Sequence, residues 1–127
     1  INDADITIIR EISGYADALQ EAKKLIASGV KGIFCTSVVM GLGAVEAAGE
    51  MNADICIVTI DTQDDALKAV QSGKLNGLIA HSGYEIGQTT INTVVNALKT
   101  GTSDNVYIDC EMLTKDNVDE YINRRDD

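Results

Sequence analysis

Residues 55–87 read ICIVTIDTQDDALKAVQSGKLNGLIAHSGYEIG, and their order decides the fold. An apolar run at residues 55–60 stops on an acid, Asp61. A polar, helix-compatible segment follows and closes on Ser72, Gly73 and Lys74. A second apolar run, residues 75–80, stops on His81, the one histidine of the sequence. Short continuous apolar runs bounded by turn residues fit buried strands. Joined through a helix, two such strands lie parallel. In open α/β sheets ligands sit outside the carboxyl ends of the strands, so Asp61 and His81 mark a candidate site edge.

The same alternation extends in both directions. Residues 6–9 are β-branched and predict a first strand, broken at Ser13 and Gly14. Residues 16–27 carry Ala18, Leu19, Ala22, Leu25 and Ile26 at helical spacing. Residues 30–35 predict a second strand, and Thr36-Ser37 is suited to cap the next helix, residues 39–51. That helix is rich in Gly and Ala, which costs helix propensity and makes sense if it lies very close against a sheet. Thr62 is expected to cap a helix over residues 63–71, with Asp64 and Asp65 in its first turn. A longer helix over residues 84–99 carries Ile91, Val94, Val95 and Leu98 as a stripe. Residues 106–110 alternate as a half-exposed strand does. Thr114 is expected to cap a short acidic helix over residues 115–121, with residues 124–127 as a frayed tail. Strands alternating with helices in this way imply an α/β fold: a parallel sheet sandwiched by helices, Rossmann-like or flavodoxin-like.

The composition fits this picture. The chain has 127 residues, 45% of them hydrophobic, which suits a folded domain. Aromatic content of 4% leaves Ile, Val, Leu and Ala to build the core. A net charge of -10, from 20 acids and 10 bases, argues against nucleic acid or an anionic membrane as a direct partner. Cys35, Cys56 and Cys110 are widely spaced, with no zinc-type pairing. Cys35 and Cys56 lie inside apolar runs and are expected to be buried. No apolar run is long enough for a membrane helix. The chain opens on Ile1-Asn2 without Met, so a processed or excerpted chain is expected, with any targeting segment upstream.

Tyr15, Ser37, Asp61 and His81 all follow predicted strands, and the shared position is the informative fact. Each has a plain structural alternative: capping for Asp61 and Ser37, a loop histidine for His81, an edge aromatic for Tyr15. Residues 83–90 lack the lysine of a phosphate loop, and no dinucleotide fingerprint follows the first strand. A receiver domain also places an acid after a third parallel strand. It needs an acidic pair after the first strand, where only Glu11 stands, and a lysine where Cys110-Glu111 stands. Ser37, Asp61 and His81 are the residue types of a hydrolase, but no nucleophile elbow is present.

At residues 34–44 (FCTSVVMGLGA), 57–61 (IVTID) and 72–87 (SGKLNGLIAHSGYEIG) the chain resembles the type I periplasmic sugar-binding proteins, the ribose-binding group of ABC transporter receptors. Residues 113–121 (LTKDNVDEY) are similar to the usual end of those proteins. The resemblance implies the C-terminal half of a two-lobed, non-enzymatic receptor with no cofactor and no metal. It implies a monosaccharide ligand in the cleft and an ABC permease as partner. It also implies an extracytoplasmic location, in the periplasm or at the cell surface, with an upstream leader or lipid anchor. Tyr15 then matches an aromatic that stacks on the sugar ring, and Ser37 a position that hydrogen-bonds hydroxyls. Asp61 matches the acid that accepts from sugar hydroxyls, and His81 a polar position in the hinge strand. Ser37-Val38 stands where the family usually has Asn-Asp, and His81 where it has an amide, which points away from ribose itself. Residues 1–82 would form the ligand-binding lobe. Residues 83–127 would form the hinge crossover and a segment returning to an N-terminal lobe, whose place a second copy of the chain could take. A LacI-type effector domain, which resembles the same fold, is the alternative reading.

Overall fold

The computed structural model describes residues 6–102 and 104–126. The elements run α1 (Tyr15–Ala27), β1 (Gly32–Cys35), α2 (Val38–Glu50), β2 (Cys56–Ile60), α3 (Asp64–Gln71), β3 (Gly77–Ala80), α4 (Gly83–Thr100), β4 (Glu111–Leu113) and α5 (Val118–Asp126). The four strands form one sheet in the order β1-β2-β3-β4. β1, β2 and β3 are parallel, with Phe34 opposite Val58 and Thr59 opposite Leu78. β4 closes the far edge antiparallel to β3, with Ala80 opposite Glu111. The α/β class is therefore as expected, with a mostly parallel sheet.

Each helix is placed by its own sequence. α1 follows Gly14, whose φ of 104° only glycine adopts easily, and has Asp17 in its first turn and Lys24 in its last. α3 has Asp64 and Asp65 at its amino end and buries Ala66, Leu67, Ala69 and Val70. α2 buries Val38, Gly41, Gly43, Ala44 and Ala47. A Cβ on Gly41 would lie 2.7 Å from the Thr59 side chain, and one on Gly43 would lie 2.8 Å from the Tyr15 carbonyl oxygen. The helix thus touches β2 through one glycine and α1 through the other, as its small residues foretold. Ile57, Leu67, Leu75, Leu78, Val38 and Val70 fill the centre of the core. Leu113 and Val118 are fully buried and bring the chain's end into the same core.

Several local expectations are corrected. Residues 6–12 form no strand, and Ile6, Ile8 and Ile9 are exposed. Thr7, Ile9, Arg10, Glu11 and Ile12 line an open groove whose other wall includes Gly32, Ile33, Phe34 and Cys35, and the two segments form no ladder. The last strand is at Glu111–Leu113 rather than residues 106–110. Val106 and Tyr107 stay exposed, and Leu113 is the side chain that reaches the core. β3 starts two residues late because Asn76 takes its place in the ladder. The Asn76 N–H donates to the Ile57 carbonyl at 2.9 Å, and its Oδ1 accepts from the Ile57 N–H at 2.8 Å. Cys56 is exposed at the outer start of β2. Thr62 is not the cap of α3; Gln63 precedes that helix and supplies no side-chain cap. Thr114 opens a turn, accepting from the Val118 N–H at 3.0 Å, and α5 begins after it. Arg124 and Arg125 belong to α5 and are ion-paired, not frayed.

Two of the α2 glycines predict opposite outcomes. Gly43→Ala meets backbone and should destabilise by about 1–3 kcal/mol. Gly49→Ala meets nothing within 4 Å and should stabilise the helix by up to about 1 kcal/mol. Leu113→Ala, at a position with no exposure, should cost about 2–5 kcal/mol. Urea unfolding midpoints of the three variants check all of this.

Candidate functional site

The site edge is built outward from Thr59, the one buried polar residue of the core among the described residues. Its hydroxyl lies 2.8 Å from the carbonyl of Ser37 and 3.1 Å from that of Cys35, and donates to them. Strand β2 thereby holds the turn that leaves β1. Ser37 ends that turn in extended conformation and caps α2, its Oγ accepting from the Met40 N–H at 3.4 Å. Its hydroxyl proton remains free to be donated.

Asp61 follows β2 by one residue and is half-buried. Its N–H donates to the Ile79 carbonyl at 3.0 Å, so it is still in register with β3. Its φ is 90°, a left-handed value that costs a non-glycine residue roughly 1–3 kcal/mol. One carboxylate oxygen accepts from the Thr62 N–H at 2.9 Å. That local bond steadies the carboxylate and leaves acceptor capacity on both oxygens.

His81 follows β3 and is half-buried. Its Nδ1 is buried and has no hydrogen-bond partner among the described residues. A buried polar atom without a partner costs roughly 1–3 kcal/mol. Ser82 then caps α4, accepting from the Glu85 N–H at 3.1 Å. His81 and Thr62 line one cavity with Ser82, Glu85, Arg124 and Arg125. Ser37, Asp61 and His81 thus stand at the ends of three neighbouring strands, with Asp61 in the middle.

Tyr15 is placed apart. Its hydroxyl donates to Glu46 on α2, and it lines a groove with Leu42, Val45 and Ile55. The Glu46 carboxylate accepting that proton, aided by slight burial and by the charges of Glu46 and Glu50, holds the phenol above its ordinary pKa. Burial likewise pushes the Cys35 thiol up, so it stays protonated and unreactive. Among the described residues no group of three or more His, Cys, Asp or Glu is placed to hold a metal. No helix among them is long and apolar enough to cross a membrane.

Sequence reasoning missed Thr59, Arg124 and Arg125. Thr59 had a visible signal, as the single polar residue inside an apolar run. The arginines had a weaker one: Val118, Tyr121 and Ile122 continue a helical stripe past residue 121.

Comparisons with known proteins agree on one family. A sequence profile described as periplasmic binding protein domain matches residues 3–103. The ribose import binding protein RbsB of Haemophilus influenzae is 37% identical over 83 residues, 64% of this chain and 28% of that protein. The crystal structure of a periplasmic ribose ABC transporter protein from Conexibacter woesei superposes with a TM-score of 0.73 at 21% identity, covering 90% of this chain and 40% of that one. An ABC transporter solute-binding protein from Bacillus halodurans with bound myo-inositol gives a TM-score of 0.69 at 24% identity, covering 85% and 39%. The two structures show the fold, and the chain matches less than half the length of any of these three relatives. The profile spans well over half of the sequence, and the chain belongs to the periplasmic binding protein family.

Proposed function

We propose that this chain is the C-terminal part of an extracytoplasmic sugar receptor serving an ABC importer. It binds a monosaccharide and performs no chemistry. The observation that carries the reading is Asp61, a half-buried carboxylate held at a strand end in a left-handed conformation between Ser37 and His81. Sugars present vicinal hydroxyl donors, and one carboxylate accepts two of them. The Ser37 hydroxyl donates to a sugar oxygen, and the half-buried His81 imidazole offers a further polar contact at the next strand end. Tyr15 would stack on the apolar face of the ring, which requires its ring to turn away from Glu46. The 37% identity to a ribose import binding protein supports the ligand class.

The other lobe has its own support. α4 buries none of its side chains, and Ile91, Val94, Val95 and Leu98 remain exposed on it. The chain leaves the sheet after Ala80 and re-enters at Glu111, directly opposite. Residues 83–110 therefore fit a segment that packs against an N-terminal lobe, with β4 and α5 returning to this one. Closure of the two lobes over the sugar makes the form that a permease recognises.

Two outcomes test this reading. In the protein carrying both lobes, Asp61→Asn should weaken sugar binding at least tenfold in calorimetry against a sugar panel, with unfolding free energy changed by less than about 1 kcal/mol. Undiminished affinity refutes the assignment. The 127-residue chain alone should self-associate through α4, and the pair Ile91→Glu and Leu98→Glu should return it to a monomer in light scattering. A monomeric unsubstituted chain counts against the exposed helix being an interface.

A further inference from the structure

We propose that Arg124 and Arg125 are positioning residues of the candidate site, one fixing the strand that re-enters beside His81 and the other fixing the turn after Asp61. This rests on the strand-end site described above, but the contacts stand by themselves. α5 lies along α3 and is tied to both of its ends. At one end Gln71 Nε2 donates to Asp119 Oδ1 at 2.6 Å. At the other, Arg125 reaches Asp64 at 2.9 Å, in the first turn of α3 and three residues past Asp61. Arg124 reaches Glu111 at 2.7 Å, and its guanidinium lies over the Tyr121 ring, 5.6 Å from the centroid.

Glu111 is the residue opposite Ala80, one position before His81. The two arginines therefore hold the two flanks of the cavity that Thr62 and His81 line. Val118 is buried, and Tyr121 and Ile122 pack against the core, so α5 is anchored apolarly and its arginines act from a fixed base. Exposed ion pairs contribute little to global stability. Their effect is instead to limit local opening of the segments they hold.

Amide hydrogen exchange on the 127-residue chain, with no ligand, tests this apart from sugar binding. Arg125→Gln should speed exchange about two- to fivefold at residues 61–66, and Arg124→Gln by a similar factor at residues 79–82 and 111–113. The β2 core amides should not change. Arg→Lys at either position should restore much of the protection. Asp64→Asn and Glu111→Gln remove the same contacts without touching α5, and should reproduce the two local patterns. Unchanged exchange in the arginine variants overturns the proposal. So does uniform acceleration throughout α5 and α3, or a failure of the acidic-side variants to match. A normal exchange result beside absent sugar binding would sink the receptor reading alone.

Discussion

The Thr59 hydroxyl, lying under Gly41, is the contact on which the rest of the site edge depends. The side chain occupies the space that a Cβ on Gly41 would take, so α2 can settle directly on β2. Its hydroxyl faces the carbonyls of Cys35, the last residue of β1, and of Ser37, which also accepts from the Gly41 N–H at 3.0 Å. One small β-branched residue thus sets the helix-to-sheet distance and the path of the turn between β1 and α2. A buried hydroxyl is tolerated because its hydrogen bond is made. Valine would fill the space and lose the bond; serine would keep the bond and lose a methyl group from the contact with α2.

From that turn the site follows by register. Ser37 caps α2 where the turn ends, Asp61 extends β2 by one residue, and His81 does the same for β3. Asp61 carries a left-handed backbone and His81 a ring nitrogen with no partner among the described residues, while the strands behind them are regular. Features of this kind are found where side chains are held ready for something outside the chain. The cysteines, by contrast, are spread across a buried strand end, an exposed strand start and an exposed loop, and they share no chemistry.

Much of this was legible in the sequence, because period and punctuation are local signals. The apolar runs at 30–35, 55–60 and 75–80 became β1, β2 and β3 within two residues, and the glycine-rich helix lies close to the sheet as its composition implied. What was not legible depended on partners distant in sequence. The β-branched run at 6–9 has strand chemistry but faces a groove, not a ladder. The alternation at 106–110 is genuine, yet the ladder forms at Glu111–Leu113, where β3 offers an edge. Arg124 and Arg125 look like a solvated tail until α5 is seen against Asp64 and Glu111. Asp61 and His81 were visible as strand-end residues, whereas the left-handed backbone of one and the unpaired nitrogen of the other are properties of the folded chain.

The antiparallel pairing of β3 with β4 also sets an order of events during synthesis. Ala80 and Glu111 are neighbours in the sheet, but the whole of α4 is made between them. Closing a loop of that length costs roughly 3 kcal/mol in chain entropy beyond the constant term, and the contacts that offset it come last. Until Leu113 and Val118 emerge from the ribosome, Leu78 and the apolar face of α3 lack their cover. The nascent lobe therefore spends the synthesis of residues 81–110 with an open sheet edge, the state most prone to pairing with another chain. A lobe whose core is completed by residues this far along the chain cannot fold one residue at a time; it must wait for Leu113 and Val118.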